Sequence, residues 1–356
     1  MINPLEHALA AVTGRCGGDA GQVERVDVDR QGRLHLQART PAGVRWFTQD
    51  EQGCREVLPE RDGALPLAGE LPALGRTGHV EVLAWRPGRR IVLRLDRGGS
   101  RLVLKGYRAR RSSEVAARHA VARAALDDGW LTVPELLDHD EARACLTFKF
   151  SAGQALPLGT MSQERFFRLG AALHAAQQHP PPANLPAHGP QEELAVIDQL
   201  GERVDRATGG RPAHWGELRA RLEEIEAPAP PALVLAHRDL HDGQFVAAQD
   251  RLVLLDFDLL ARADSLLDAA NLLAHLKLRA LQGVEGAGDE AMLTCGRALL
   301  EGLDGPNQPD VARRLRFYQA TTFLRLLLVY RLRPRWSGVL PGLLVMAERC
   351  LDDLRR

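Results

Sequence analysis

The stretch His237-Arg238-Asp239-Leu240-His241-Asp242-Gly243-Gln244, followed twelve residues after its last member by Asp256-Phe257-Asp258, decides how the rest of the chain is read. Short apolar runs of strand type, Ala232-Leu233-Val234-Leu235-Ala236 and Arg251-Leu252-Val253-Leu254-Leu255, stand before the two acidic motifs. Asp239 and Asp256 are therefore expected on loops at strand ends. Phosphoryl transfer asks a protein to orient one hydroxyl in line with a γ-phosphate and to hold Mg²⁺ against the phosphate oxygens. Mg²⁺ is a hard cation that selects oxygen donors. On this reading Asp239 is the catalytic base that accepts or orients the proton of the attacking hydroxyl. Gln244 offers a carbonyl oxygen to the metal, and Asp256 supplies the main metal-binding carboxylate. The plainer alternative is an acidic turn between two buried strands, with Asp capping backbone amides. It does not require all of these spacings together.

The segment resembles the aminoglycoside phosphotransferase family, small-molecule kinases that share the bilobal protein-kinase fold and usually read H-x-D-x-x-x-x-N followed by a metal-binding Asp. Gln244 stands where that pattern has Asn, and Arg238 where many small-molecule kinases have Gly. The resemblance implies an α+β protein of two lobes, ATP as phosphate donor with GTP as the alternative nucleotide, Mg²⁺, and a small-molecule hydroxyl as acceptor. The expected organisation is an N-terminal β-rich extension over residues 1–75, a kinase-like N-lobe over 76–150, and a mostly helical C-lobe over 151–356 that carries the catalytic and metal-binding loops.

Several partner classes are excluded by composition. The 356 residues contain 46 Lys plus Arg and 46 Asp plus Glu, so the formal charge is zero and no overall field favours nucleic acid or an anionic membrane. No apolar run approaches the roughly 20 residues of a membrane span, and Met-Ile-Asn-Pro-Leu-Glu does not open like a signal peptide. A cytoplasmic protein is expected. Cys16, Cys54, Cys145, Cys295 and Cys350 are scattered and odd in number, which fits reduced structural thiols rather than zinc or redox chemistry. The oligomeric state leaves no mark on the sequence.

Ahead of the N-lobe, Val23–Val28, Arg33–Ala38 and Val44–Phe47 read as strands. They fit a subdomain packed on the N-lobe, a dimerisation element or a substrate-related appendage. His79–Trp85 and Ile91–Leu95 form a hairpin whose turn carries Arg86, Arg89 and Arg90, candidates to meet phosphate. The next strand ends in Lys105, in a chain with very few lysines, at the point where kinases carry the Lys that binds the α- and β-phosphates. Ser112–Leu126 has helical spacing and stands where the αC helix would be. Glu114 is its nearest acid for pairing with Lys105, although the family's usual Arg-Glu step falls on Arg118-His119. Phe148-Lys149-Phe150, leading into Ser151, resembles the hinge that recognises the adenine edge, with backbone groups and apolar side chains contributing.

Beyond the hinge, an amphipathic helix is expected over Ser162–Gln178, and two more over Gln191–Ala207 and Pro212–Ile225. Glu192, Glu193, Asp198, Glu202 and Asp205 could meet an acceptor there, although a solvated helix face is the commoner explanation of such acids. Asp264 or Ser265 would cap the following helix, and Asp268 matches the family's buried Asp that braces the catalytic-loop backbone.

Only seven residues separate Asp256 from Asp264, which leaves no room for the long activation segment that docks a peptide. The acceptor is therefore expected to be a small hydroxylated compound: a sugar, an amino sugar, an amino alcohol or an aminoglycoside-like molecule. Arg313, Arg314, Arg316, Arg325, Arg331, Arg333 and Arg335 near the C-terminus weigh against a polycation. A nucleotide-binding pseudokinase acting as a regulatory or scaffold module is the alternative, kept open by Gln244 and by His119.

Overall fold

The computed structural model describes residues 3–16, 23–29, 31–155, 161–248, 250–284 and 288–356. The chain opens with helix α1 (Pro4–Cys16) and a meander of four antiparallel strands, β1 (Val23–Val28), β2 (Leu34–Thr40), β3 (Gly43–Asp50) and β4 (Gly53–Val57). Two short helices, α2 (Pro66–Gly69) and α3 (Leu71–Thr77), lead into β5 (His79–Arg86), β6 (Arg90–Arg97) and β7 (Ser100–Tyr107), then helix α4 (Arg111–Leu126). After the small strand β8 (Leu131–Thr132), β9 (Leu136–Asp140) and β10 (Cys145–Lys149) complete a five-stranded sheet of order β5-β6-β7-β10-β9.

The second lobe begins with β11 (Gln154–Ala155), α5 (Gln163–Gln177), β12 (Ala187–His188), α6 (Pro190–Thr208) and α7 (Trp215–Glu223). The two acidic motifs lie between β13 (Val234–Ala236), β14 (Phe245–Ala248), β15 (Arg251–Leu254) and β16 (Ala261–Ala263). Helices α8 (Leu267–Leu281), α9 (Asp289–Gly302), α10 (Val311–Arg331) and α11 (Leu340–Arg355) follow. The chain is thus α+β with a sheet lobe and a helical lobe.

Local chemistry explains the borders of the elements. Ser162 caps α5 by accepting the Arg165 amide at 3.3 Å, and α6 starts on Pro190 with the Glu192 carboxylate accepting the Gly189 amide at 2.8 Å. It ends on Gly209 at φ 67°, the left-handed geometry that glycine supplies at no steric cost. Gly170 in α5 and Gly302 in α9 let those helices touch through backbone, since a Cβ on either would meet the Leu299 or Phe167 carbonyl oxygen.

The N-terminal module packs differently from a subdomain seated on the N-lobe alone. Val26, Leu36 and Phe47 share one apolar core with Ile197, Val204, Trp215, Phe323 and Leu324 of the helical lobe. At its other side Trp46 meets Trp85 edge-on at 5.7 Å, beside the N-lobe core of Leu67, Ile91 and Leu93. Backbone ties reinforce the first contact: the Val26 amide donates to the Leu332 carbonyl at 3.1 Å, and Arg333 donates to the Val26 carbonyl at 2.7 Å. The module bridges the two lobes and forms a third wall of the cleft between them.

Candidate active site

Strand alternation aims the N-lobe side chains. Along β7, Leu104 and Gly106 face the inner core, where a Cβ on Gly106 would collide with Leu67 and Ile91, while Lys105 and Tyr107 face the other way; Tyr107 lines the cleft, and Lys105 stands against Asp256 outside its lining. Lys105 Nζ lies 3.1 Å from Asp256 Oδ1 and 3.9 Å from Asp258 Oδ1, and the Tyr107 hydroxyl donates to Asp258 at 2.9 Å. Arg90, at the start of β6, donates to both oxygens of Asp256 at 3.0 Å and to Asp258 at 2.9 Å. Burial opposes ionisation of Asp256, yet the fields of Lys105 and Arg90 outweigh it and hold the carboxyl far below the usual carboxylate range. Asp256 is therefore ionised at neutral pH.

The two loops of the opening motif are tied together. Asp268, at the start of α8, accepts the His237 and Arg238 amides, each at 2.7 Å, as expected of a loop-bracing carboxylate. His237 Nε2 donates to the Leu255 carbonyl at 2.8 Å, which leaves Nδ1 to accept the Asp239 amide at 3.3 Å and fixes the tautomer. The Leu255 amide donates to the Gln244 carbonyl at 2.8 Å. Arg238 (φ 70°) and Asp256 (φ 65°) both sit in the left-handed region, which costs a side-chain-bearing residue about 1–2 kcal/mol each. The tethers on either side of each residue maintain that strain.

Asp239, Gln244 and Asp256 all line one cleft of about 1980 Å³. Arg325 of α10 comes within 3.8 Å of Asp239 and His241 Nε2 within 3.9 Å. Burial raises the Asp239 pKa, but Arg325 and the surrounding histidines lower it further, so the net shift is downward. A carboxylate of this kind orients a hydroxyl more readily than it abstracts its proton in the ground state. His241 stacks on His275 at 4.7 Å, and burial followed by the fields of His241 and Arg325 presses His275 to about 3, so it is neutral. Ligand atoms of His241, Asp242 and His275 lie within 4.8 Å of one another, but both Asp242 oxygens are bonded by Arg279 at 2.7 and 2.8 Å. That cluster reads as a brace of the catalytic loop.

Other expected residues fall elsewhere. Glu114 does not reach Lys105. It lies in the first turn of α4 and binds Arg111 and Arg118, which in turn donate to the Asp258 carbonyl. The position that the family pattern gives to Glu holds His119, wedged between Phe148 and Phe257 and bonded to the Pro134 carbonyl at 2.8 Å. Burial presses His119 to about 4, so no charge there balances Lys105, and Asp256 takes that part. Phe148 is buried beneath Lys105, whose Nζ is 5.9 Å from the ring centre. Lys149 is 70% exposed and turned to Glu135 at 3.7 Å, so only its backbone can serve a hinge, while the Phe150 ring lies against Arg101. Arg89 lines the cleft, whereas Lys105, Glu114, Phe148, Lys149 and Phe150 are absent from its lining.

Arg238 finds the Leu259 carbonyl at 3.5 Å rather than a direct carboxylate partner. Of the α6 acids only Glu202 lines the cleft; Glu193 pairs with His188 at 2.5 Å and Asp198 with Arg219 at 2.8 Å. Tyr107, Asp258 and Arg325 have no site role in the reading of the sequence, and Arg90 enters it only as a candidate to meet phosphate, not as a partner of Asp256. The alternation of β7 could have found Tyr107; the others depend on contacts between distant segments.

A sheet lobe over a helical lobe, with two acidic loops facing a strand lysine, defines the protein-kinase-like class of phosphotransferase folds. The chain belongs to the phosphotransferase enzyme family (APH), whose model matches residues 80–305. It is accordingly a phosphotransferase of the small-molecule kinase class. Among solved structures it is similar to a choline/ethanolamine kinase family protein from Mesorhizobium loti, with 21% identity, a TM-score of 0.51, and coverage of 83% of this chain and 97% of that one. It is also similar to choline kinase LicA from Streptococcus pneumoniae (13% identity, TM-score 0.52, 81% and 97% covered). A third similar structure is amicoumacin kinase hAmiN in complex with AMP-PNP, Ca²⁺ and Ami (15% identity, TM-score 0.55, 82% and 94% covered). Among curated proteins the sequence finds no match. Among the described residues no helix is long and apolar enough to cross a membrane.

Proposed function

We propose that the chain transfers the γ-phosphate of ATP to a hydroxyl of a small molecule, with Mg²⁺ required. The observation that carries this reading is the convergence of Asp239, Gln244 and Asp256 on one cleft, from two loops locked together by His237 and Asp268. The donor set suits the ion: an ionised carboxylate on Asp256 and an amide oxygen on Gln244 are hard oxygen ligands. When bound, the metal would neutralise charge on the phosphate oxygens. Lys105 and Arg90 already place positive charge against Asp256, and both are suited to phosphate oxygens once a nucleotide enters.

Asp239 acts at the acceptor. Its carboxylate receives a hydrogen bond from the attacking hydroxyl, holds that oxygen in line, and takes the proton as the bond to phosphorus forms. The field of Arg325 keeps Asp239 ionised, and Asp268 holds the loop that carries it. Residues 148–151 would supply backbone groups to the nucleotide base.

The test is a product-mass screen with ATP and Mg²⁺ against sugars, amino sugars, amino alcohols and aminoglycosides, run beside Asp239→Ala. The variant is expected to bind nucleotide as the native chain does and to lose transfer by at least a hundredfold. Transfer at the native rate in Asp239→Ala would remove the residue from the mechanism.

A further inference from the structure

The cleft extends well past Asp239, and its far end is built from three separated parts of the chain. Arg25 on β1, Arg86 at the end of β5 and Arg333 just beyond α10 all line it. A single carboxylate, Asp27, serves the three. It bonds Arg25 at 2.7 and at 3.0 Å and feels the fields of Arg86 and Arg333 as well, while it is absent from the residues lining the cleft. Of the three guanidiniums only Arg25 makes an ion pair among the described residues, and its partner Asp27 lies behind the cleft wall, although Asp29 and Glu202 line the same cleft.

The arrangement is costly to the empty protein. Burial, then the nearby Arg25, press both Arg86 and Arg333 down to about 10. The buried Nε of Arg86 has no hydrogen-bond partner among the described residues. Arg333 spends its contacts on the Val26 and Leu332 carbonyls, at 2.7 and 3.1 Å, which fix its position without neutralising it. Unbalanced, half-buried guanidiniums at the wall of an open cleft have the chemistry of a receptor for a planar or tetrahedral oxyanion.

Resting on the reading of the chain as a small-molecule kinase, we propose that Arg25, Arg86 and Arg333 bind an anionic group, phosphate or carboxylate, carried by the acceptor itself. The site is remote from the transferring phosphoryl. Arg325 comes within 3.8 Å of Asp239, and Arg333 lies two residues past the end of the same helix, whose stretch from Arg325 to Arg331 alone rises roughly 9 Å at 1.5 Å per residue. The acceptor is thus a hydroxylated compound whose anionic end lies apart from the hydroxyl that receives phosphate. This gives the N-terminal module a function: β1 supplies part of the acceptor site, and its ties to the end of α10 hold that part in register.

The experiment is a thermal-shift titration of the full chain with inorganic phosphate and, separately, with citrate, beside ATP with Mg²⁺, on the native protein and on Arg86→Gln and Arg333→Gln. Arg86→Gln relieves a repelled buried charge and should melt above the native protein without ligand. Both variants should lose most of the anion-induced shift while retaining the shift with ATP and Mg²⁺. A response to phosphate alone, or to citrate alone, identifies which oxyanion the site takes. In the transfer assay, anionic members of matched acceptor pairs, such as glucose 6-phosphate or glucuronate against glucose, should show a KM roughly tenfold lower, an advantage that Arg86→Gln removes. If the screen contains no acceptor, the thermal shifts decide. Absence of an anion shift in the native protein, or a shift undiminished in Arg86→Gln, would overturn the proposal. Failure of ATP with Mg²⁺ to shift the native protein would instead strike the kinase reading, and the two failures are read in separate arms.

Discussion

Acidification should destabilise this protein well before its carboxylates titrate, because two histidines are buried in neutral form. His119 is pressed to about 4 and His275 to about 3, both chiefly by burial, whereas an unfolded histidine titrates near 6.5. Between pH 6.5 and about 4 the unfolded chain binds these two protons and the folded chain does not. Stability therefore rises with pH across that window and is lost as pH falls through it. Each group contributes roughly 1.4 kcal/mol per pH unit below 6.5, so moving from pH 7.5 to 5 should cost on the order of 4 kcal/mol for the pair. His35, also lowered by burial, acts in the same direction, whereas the buried Asp268, whose pKa burial raises, acts against it. Asp242 and Asp256 are held low by Arg279 and Lys105 and do not titrate in this range. The assay is urea unfolding of the ligand-free chain at half-unit pH steps. Replacing His119 by Gln keeps a donor for the Pro134 carbonyl and removes one titrating site, so the slope below pH 6.5 should fall by about half. Unfolding free energies that stay level from pH 7.5 to 5, or a slope unchanged in His119→Gln, would refute the assignment of these rings as neutral and buried.

Three further predictions concern the frame around the site. Gly170→Ala places a methyl group against the Leu299 carbonyl at the α5–α9 contact and should cost about 1–3 kcal/mol, read as a lower melting temperature with no change in nucleotide affinity. Arg314→Met leaves the fully buried Asp264 carboxylate without its bidentate partner and should cost about 3–5 kcal/mol; the double variant with Asp264→Leu should recover much of that loss in the same melt. Asp268→Ala frees the His237 and Arg238 amides, so kcat should drop at least tenfold while the KM for ATP changes little, as steady-state kinetics would measure.

The acidic motifs could be read from the sequence because each consists of neighbours in the chain that follow a strand, and local spacing fixes where they emerge. Lys105 was legible for the same reason: it lies near the end of an apolar strand, which runs on to Tyr107, and the strand's alternation sets its face. Partnerships across the fold were not. Glu114 has the right charge and lies in the right helix, but Arg111 and Arg118 stand three residues before it and four after it and capture it first. The N-terminal strands were recognisable as strands, yet their seat depends on Val26 meeting Leu332, a contact between opposite ends of the chain. Lys149 and Phe148 illustrate the limit within one strand, since one points to solvent and the other into the core while both belong to the same hinge segment.

The central claim is that Asp239, Gln244 and Asp256 surround a metal-bound nucleotide, and calorimetric titration of ATP into the full chain tests it most directly. With Mg²⁺ present the native protein should bind ATP at least tenfold more tightly than without it, and Asp256→Ala should abolish that difference. Binding that is indifferent to Mg²⁺, or an Asp256→Ala protein with the native metal dependence, would contradict the account.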